Sequence, residues 1–253
     1  MSEVGKLPRV EVLGTPVSVS TFEAALGMIA AMVGRRAGEY VSCANAYSLS
    51  LALDDPAYRQ TLAGAAAVSA DGMSVVWALR ALGHPCERVH NDDLFLAACE
   101  LRRPWRHFLV GGREGQPEAV ASALAMRVPG IQVVGMRATP RRPVPRDEHA
   151  SIVAAIREAR PDIAWVGMGT PAQDEWMREA APATGVPMVG VGSAFDLLAG
   201  RTSAAPEWMK RSGLQWLFRL AQEPRRLARR YLYHNSRFAT AFARQYARHV
   251  RQR

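Results

Sequence analysis

Two spacings of apolar residues alternate along this chain, and the switches between them mark its elements. Residues 9–18 alternate loosely and predict a small strand pair around Gly14-Thr15-Pro16. Thr21 to Val33, rich in Ala, Leu and Met, has helical spacing. Tyr40 to Ala44 is a short buried strand that delivers Asn45. Ala46 to Leu53 continues as a helix, and Asp54-Asp55-Pro56 opens another through Ala65. A strand then runs into Asp71, followed by a helix from Met73 to Leu82, a break at Gly83-His84-Pro85 and a helix from Asn91 to Leu101. The second half repeats the rhythm. Strands are predicted at His107–Val110, within Gly130–Gly135, at Asp162–Met168 and at Pro187–Val191, with helices at Pro117–Arg127, Ser151–Ala159 and Ala172–Ala181. Short apolar strands alternating with helices predict an α/β fold, a mostly parallel sheet with helices on both faces. Arg137 to Arg146 reads as an exposed Pro/Arg-rich loop. Beyond Gly192 the character changes. Pro206–Gln222 and Pro224–His234 read as two helices, each with proline in its first turn, and Phe238, Phe242, Tyr246 and Val250 step by four along a third.

Charge divides the chain unequally. The net charge is +9 over 253 residues, yet residues 201–253 hold 13 of the 32 Lys and Arg and 2 of the 23 Asp and Glu. That segment carries +11 and residues 1–200 carry −2. The expected organisation is a core over 1–200 and a basic helical appendage over 201–253, the latter facing an anionic partner. An apolar stripe backed by Arg244, Arg248 and Arg251 suits a membrane surface; the same stripe would also dock on the sheet domain. The three cysteines, Cys43, Cys86 and Cys99, are odd in number and widely spaced. They suggest neither a disulfide framework nor a zinc site, and point to a reducing compartment. No apolar run of signal-peptide length opens the sequence, and none approaches the roughly 20 residues needed to span a bilayer. A cytoplasmic location is expected.

Candidate chemistry gathers where strands hand over to helices, because open α/β sheets hold ligands at the carboxyl ends of their strands. Asp71 is the leading catalytic candidate: an apolar run ends on its carboxylate, then meets Gly72 and a helix start. Asp-Gly ahead of an apolar helical run is equally an ordinary helix cap and turn. Gly111-Gly112-Arg113-Glu114-Gly115 offers backbone N–H groups that would suit a phosphate, although its spacing matches neither common nucleotide-binding glycine motif. Gln173 and Glu175, after Gly169-Thr170-Pro171, either bind a base or sugar hydroxyl or simply complete a helical turn.

Taken together, Asn45, Asp71-Gly72, Glu87-Arg88-Val89, Phe108-Leu109-Val110-Gly111-Gly112, the run Gly167 to Trp176, the run Gly190 to Asp196, Ala199-Gly200 and the run Gln222 to Leu227 occur in the order and spacing of the WecG/TagA/CpsF bacterial glycosyltransferases. The resemblance covers roughly residues 10–240. It implies a Rossmann-like core with a basic C-terminal appendage. It also implies an inverting transferase that moves a sugar, N-acetylmannosamine or a hexose, from a UDP-sugar to a polyprenyl-diphosphate-linked saccharide in cell-surface polysaccharide biosynthesis. The expected setting is peripheral, on the inner face of the cell membrane, with no cofactor and no metal. By position, Asp71 matches the family's general base and Arg88 accompanies it. Cys43, Asn45, Gln173, Glu175 and Asp196 would line the donor pocket, with Gly111, Gly112 and Gly169 allowing close backbone approach. Arg219, Arg225, Arg226 and Arg229 would steady the leaving diphosphate. The chain departs from the family pattern at Cys43, where Thr is common, and at His90-Asn91-Asp92-Asp93, where Ala-Gly-Thr-Asp is favoured. Partners are therefore the donor, the lipid-linked acceptor, an anionic membrane and, as a further option, a second copy of the chain.

Two other readings compete. A nucleic-acid-binding protein would use Tyr231, Tyr233, Phe238 and Tyr246 among the basic residues of the tail, which leaves the α/β core without a role, so nucleic acid is not expected as a partner. A non-catalytic, membrane-peripheral relative would keep the fold alone; retention of Asp71 argues against it.

Overall fold

The computed structural model describes residues 6–206, 208–209 and 212–252, with the side chain of Arg226 outside the description. A β1–β2 hairpin (Arg9–Val12, Thr15–Ser18) precedes the main sheet. Its turn is Leu13-Gly14, both at positive φ, the geometry that matches the twist of a two-residue hairpin. Pro16 sits in β2 rather than in the turn, and β2 is an edge strand that tolerates it.

The remaining strands are β3 (Tyr40–Ala44), β4 (Ala67–Ala70), β5 (Arg106–Gly111), β6 (Gln132–Arg137), β7 (Ile163–Gly167) and β8 (Met188–Gly190). They form one sheet in the order β4-β3-β8-β7-β5-β6, every pairing parallel. Helices α1 (Phe22–Arg35), α2 (Ala46–Asp54), α3 (Pro56–Gly64), α4 (Met73–Ala81), α5 (Asn91–Glu100), α6 (Gln116–Arg127), α7 (Arg146–Ala159), α8 (Ala172–Thr184) and α9 (Ala194–Leu198) cover its faces. Alternate residues feed two separate cores. Ala164 and Val166 of β7 join one with Val68, Phe108 and Met188; Ile163 and Trp165 join the other with Val41, Leu109 and Val189. Burial on both faces is what makes the strands near-continuous apolar runs, as an α/β fold requires.

Differences from the sequence expectations lie mainly in the second half. Of the helix expected over 206–222, residues 207, 210 and 211 lie outside the described residues; Gly213, at φ +77°, interrupts the described part, and α10 runs over Gln215–Gln222. By contrast, the helices expected at 224–234 and around Phe238–Val250 are a single 28-residue helix, α11 (Pro224–Arg251). The polar residues between them are accommodated because Ser236 Oγ donates to the carbonyl of Leu232 at 2.6 Å, keeping its hydroxyl satisfied within the helix. Phe238 is buried in the core that lies under α2, and Phe242 packs against the same core, whereas Tyr246 and Val250 remain exposed. A buried Phe238 is not available for base stacking, which removes one support for the nucleic-acid reading. The Pro/Arg-rich stretch is shorter than expected, since β6 runs to Arg137 and α7 starts at Arg146, and it is not wholly exposed: Thr139 is buried and donates its N–H to the carbonyl of Gly112 at 3.0 Å.

One buried acid in this frame has a measurable signature. Asp174, in the first turn of α8, is fully buried; Tyr58 Oη donates to its Oδ2 at 2.9 Å, and its Oδ1 has no partner among the described residues. Burial pushes its pKa up to about 6. The folded state then holds a proton that the unfolded state has released between about pH 4 and 6, so stability falls as pH rises through that window. Above it the ionised acid costs about 3 kcal/mol. Asp174→Asn should be the more stable protein at pH 7.5, with the advantage gone at pH 4.5, as read from urea unfolding at both values. Parallel unfolding curves at the two pH values would contradict it.

Candidate active site

The carboxyl edge of the sheet carries the site. Chain direction splits between β5 and β7, since β5 leads outward to β6 and β7 leads the other way to β8, and a crevice opens at such a point. Its walls are backbone. A Cβ on Gly111 (φ +126°) would lie 2.6 Å from the carbonyl of Gly167, and one on Gly112 (φ +77°) would lie 2.8 Å from Gln116 Oε1. Main chain leaves room only for glycine at Gly111, and at Gly112 a side chain would be strained in φ and press on Gln116. Gly169, at φ +79°, forms the facing lip. Gln116 Oε1 accepts from Arg113 N at 3.1 Å and its Nε2 donates to Asp196 Oδ1 at 2.8 Å, tying the glycine loop to α9. Arg142 reaches down from the Pro/Arg segment to donate to the Met168 carbonyl, with Asp196 and Arg113 as its charged neighbours.

Gln173 ties the middle of the edge together. Fully buried at the start of α8, it accepts on Oε1 from Gly169 N and Gly192 N, both at 3.1 Å, and directs Nε2 toward Cys43 Sγ at 3.9 Å. The ends of β3, β7 and β8 are thereby joined by one amide. Burial, then the carboxylates of Asp71, Asp174 and Asp92, push the Cys43 thiol well up. The shift favours the thiol over the thiolate, against the direction a nucleophilic cysteine needs.

Asp71 follows β4. The cap reading fails for α4, whose N-cap is Gly72 with no side-chain cap hydrogen bond; Asp71 Oδ1 instead accepts from the N–H of Asn91, the first residue of α5, at 3.3 Å. Its carboxylate stays 19% exposed, open at the sheet edge. Arg88 Nε donates to the Asp71 carbonyl at 2.7 Å, so Arg88 braces the backbone that presents the acid, and its other end meets Gln215 of α10. Asn45 is the residue that caps. Its Oδ1 accepts from Tyr47 N and Ser48 N, and Ser48 Oγ accepts from the Asn45 N–H, a reciprocal capping box. A Cβ on Gly72 would come within 3.0 Å of Asn45 Cβ, so the cap stands directly beside the Asp71-Gly72 turn.

The structure adds residues that the strand-to-helix junctions did not single out. His90 Nε2 lies 3.8 Å from Asp71 Oδ1 and 3.9 Å from Asp92 Oδ2, and 3.3 Å from Gln215 Nε2. Asp92 is buried and receives Ser193 Oγ at 3.1 Å and Arg219 Nη2 at 3.2 Å. Its burial raises its pKa, and His90 and Arg219 oppose that rise. The departure of His90-Asn91-Asp92-Asp93 from the family pattern was the available signal. What it could not disclose was that His90 faces three carboxylates at once, Asp71 and Asp92 on Nε2 and Asp93, 3.6 Å from Nδ1.

The contacts run continuously from Asp71 through His90, Asp92 and Ser193 to Asp196, one helical turn on, and then to Gln116 beside Gly112. Asp71, Arg88, Asn45, Cys43, Gln173, Asp196, Arg219 and the three glycines thus share one edge. Glu175 does not join them: it is exposed, with Asp55, Arg178 and Glu179 as its charged neighbours. Arg225 and Arg229 are exposed on the first turns of α11 without a partner among the described residues, and the Arg226 side chain lies outside them. Among the described residues no group of three or more His, Cys, Asp or Glu is arranged to hold a metal ion, and no helix is long and apolar enough to cross a membrane.

The family model described as glycosyl transferase WecG/TagA/CpsF matches residues 10–252. Over 203 residues the chain is 26% identical to the N-acetylglucosaminyldiphosphoundecaprenol N-acetyl-beta-D-mannosaminyltransferase of Bacillus subtilis (strain 168), covering 78% of this chain and 77% of that relative.

Proposed function

This chain belongs to the WecG/TagA/CpsF family of glycosyl transferases, and from that premise we propose that it transfers a sugar, with inversion, from a UDP-sugar to a saccharide carried on polyprenyl diphosphate. The observation that carries the reading is Asp71: an acid, open at the carboxyl edge of the sheet, that does not cap the helix it precedes. Asp71 takes the proton from the acceptor hydroxyl as that oxygen attacks the anomeric carbon. The bond from that carbon to the UDP oxygen breaks, and the electron pair leaves with the diphosphate. The negative charge that develops there is met at the β5–β7 crevice by the backbone N–H groups of the Gly111–Gly115 loop and by Arg113 and Arg142, cationic groups that suit a metal-independent transfer. Arg219, held by Asp92, serves instead to fasten α10 over the Asp71 side of the site. His90 shares its Nε2 edge between Asp71 and Asp92 and spaces the two acids.

The name of the Bacillus relative makes N-acetylmannosamine the first donor sugar to try and N-acetylglucosaminyl-diphosphoundecaprenol the first acceptor. Cys43 and His90, both departures from the family pattern, adjoin the place where donor and acceptor would meet. Purified protein incubated with that acceptor and a panel of radiolabelled UDP-sugars should label the lipid fraction. No transfer from any donor, with the fold intact, would overturn the reading.

A lipid-linked acceptor calls for membrane contact, and the division into a core over 1–200 and an appendage over 201–253 fits it. Around α10 the large apolar side chains face outward: Trp208 is 62% exposed, Trp216 45% and Leu217 44%. Gly213 packs on Met73 and Trp77 of α4, one turn from Asp71, so this apolar ledge borders the site. Exposed aromatics together with the exposed Arg225 and Arg229 suit the interface of an anionic bilayer. Because α11 carries Phe238 into the core, removing the whole appendage would strip the core as well. Trp208→Ser with Trp216→Ser leaves the core whole, and should weaken partitioning to phosphatidylglycerol vesicles about tenfold or more in a flotation assay. Unchanged partitioning would count against docking through this ledge.

A further inference from the structure

A second polar cavity lies at the opposite end of the helices that bear the site. Helices α2 and α4 begin beside Asn45 and Gly72, and Leu53 and Leu82, at their far ends, line a groove of about 600 Å³. Nine helical residues separate the two regions by about 13 Å along either helix. Helix α11 runs the same way: Arg230 and His234 meet Tyr47 near the start of α2, Arg237 meets Asp54 at its end, and Arg244 and Arg248 reach the groove. Gln245 holds that end of α11 to the hairpin, accepting from Leu13 N at 2.9 Å and donating to the Glu11 carbonyl at 2.8 Å.

The groove lining is strongly one-sided. Arg59 of α3, whose guanidinium lies against Gly14, faces Arg244 and Arg248, which are one turn apart on α11. None of the three has an ion-pair or hydrogen-bond partner for its side chain among the described residues, and Glu11 is the single carboxylate among the lining residues. His249 also lines the groove. Three arginines from two elements converge on one cavity with only Glu11 to oppose their charge, an arrangement that suits an anion. Leu13, Leu53, Leu82 and Ala241 add an apolar floor, and the volume falls in the range of small-molecule sites.

The geometry points to a binding site for a phosphorylated ligand at this groove, separate from the sheet-edge site: a phosphate or diphosphate group clamped by Arg59, Arg244 and Arg248, with an apolar portion against the leucines. The same chemistry is offered by a free phosphate ester and by a phospholipid headgroup. Either one would bridge α11 to α3 and the hairpin, fixing the far half of the helix whose first turns lie near Arg219.

The full chain would be titrated calorimetrically with inorganic pyrophosphate and, separately, with monomeric dihexanoyl phosphatidic acid. Arg59→Gln, and Arg244→Gln with Arg248→Gln, should each weaken saturable binding about tenfold or more, because each removes charge-assisted hydrogen bonds to the phosphate. Pyrophosphate held at the Gly111–Arg113 loop would survive these substitutions, so the groove appears as the site that is lost. Glu11→Gln removes the opposing charge and should tighten binding about twofold or more, a gain that misfolding does not produce. Pyrophosphate bound as tightly as the lipid identifies a free phosphate ligand; the lipid bound tenfold more tightly identifies a headgroup with its chains on the leucines. No binding of either probe to the native chain, or binding unmoved by all three variants, would overturn the proposal.

Discussion

Asp71→Asn is expected to lower sugar transfer about 10²–10⁴-fold, the scale on which loss of a general base acts, while leaving affinity for UDP nearly unchanged. The separation follows from geometry. The donor diphosphate belongs at the β5–β7 crevice, and Asp71 stands at the end of β4, with β3 and β8 between the two. Asparagine is nearly isosteric, and it can still accept the hydrogen bond from Asn91 N on its amide oxygen. The turn and the cap of α4 are kept because that cap is Gly72. The substitution therefore removes basicity and little else. Initial rates of lipid labelling under saturating donor, with UDP affinity from calorimetry, test it. Undiminished transfer would take Asp71 out of the mechanism, and a parallel loss of UDP binding would move it into the donor pocket.

Gly111→Ala should be the most damaging of the crevice substitutions, by about 3 kcal/mol or more in urea unfolding. Two penalties coincide: a positive φ of +126°, and a Cβ placed 2.6 Å from the main-chain carbonyl of Gly167. Main chain in the adjacent strand cannot swing aside as a side chain can, so β5 and β7 must part, and any site built on their carboxyl ends parts with them. Gly115→Ala supplies the control. It shares a positive φ of +76° but would meet nothing within 4 Å, so only the backbone penalty of about 1 kcal/mol remains. Equal losses in the two variants would show that strain in φ, rather than the approach of two strands, is what Gly111 relieves.

Much of this architecture could be read from the chain because its signals are local. Strands buried on both faces must be apolar throughout, and Tyr40–Ala44 and Ile163–Gly167 were legible for that reason. Errors fell where short-range and long-range demands differ. Asn45 and Asp71 both follow a strand and precede a helix, and nothing local says that Asn45 caps its helix while Asp71 leaves its own uncapped. Gln173 and Glu175 are two residues apart in one motif, yet a helix turns about 100° per residue, which buries the first under the sheet edge and leaves the second in solvent.

By itself, the sequence determined the α/β class, the parallel alternation, the glycine positions and the membership in a transferase family, since periodicity, turn chemistry and motif spacing act over a few residues at a time. The tertiary structure alone decided which groups meet. It brought His90 between Asp71 and Asp92, set Arg219 of the appendage on Asp92 and gathered Arg59, Arg244 and Arg248 around one cavity. Those residues are separated by as much as 189 positions in the chain. Contacts across such distances depend on strand order and on the line a long helix takes over the core, and neither is written in any local pattern.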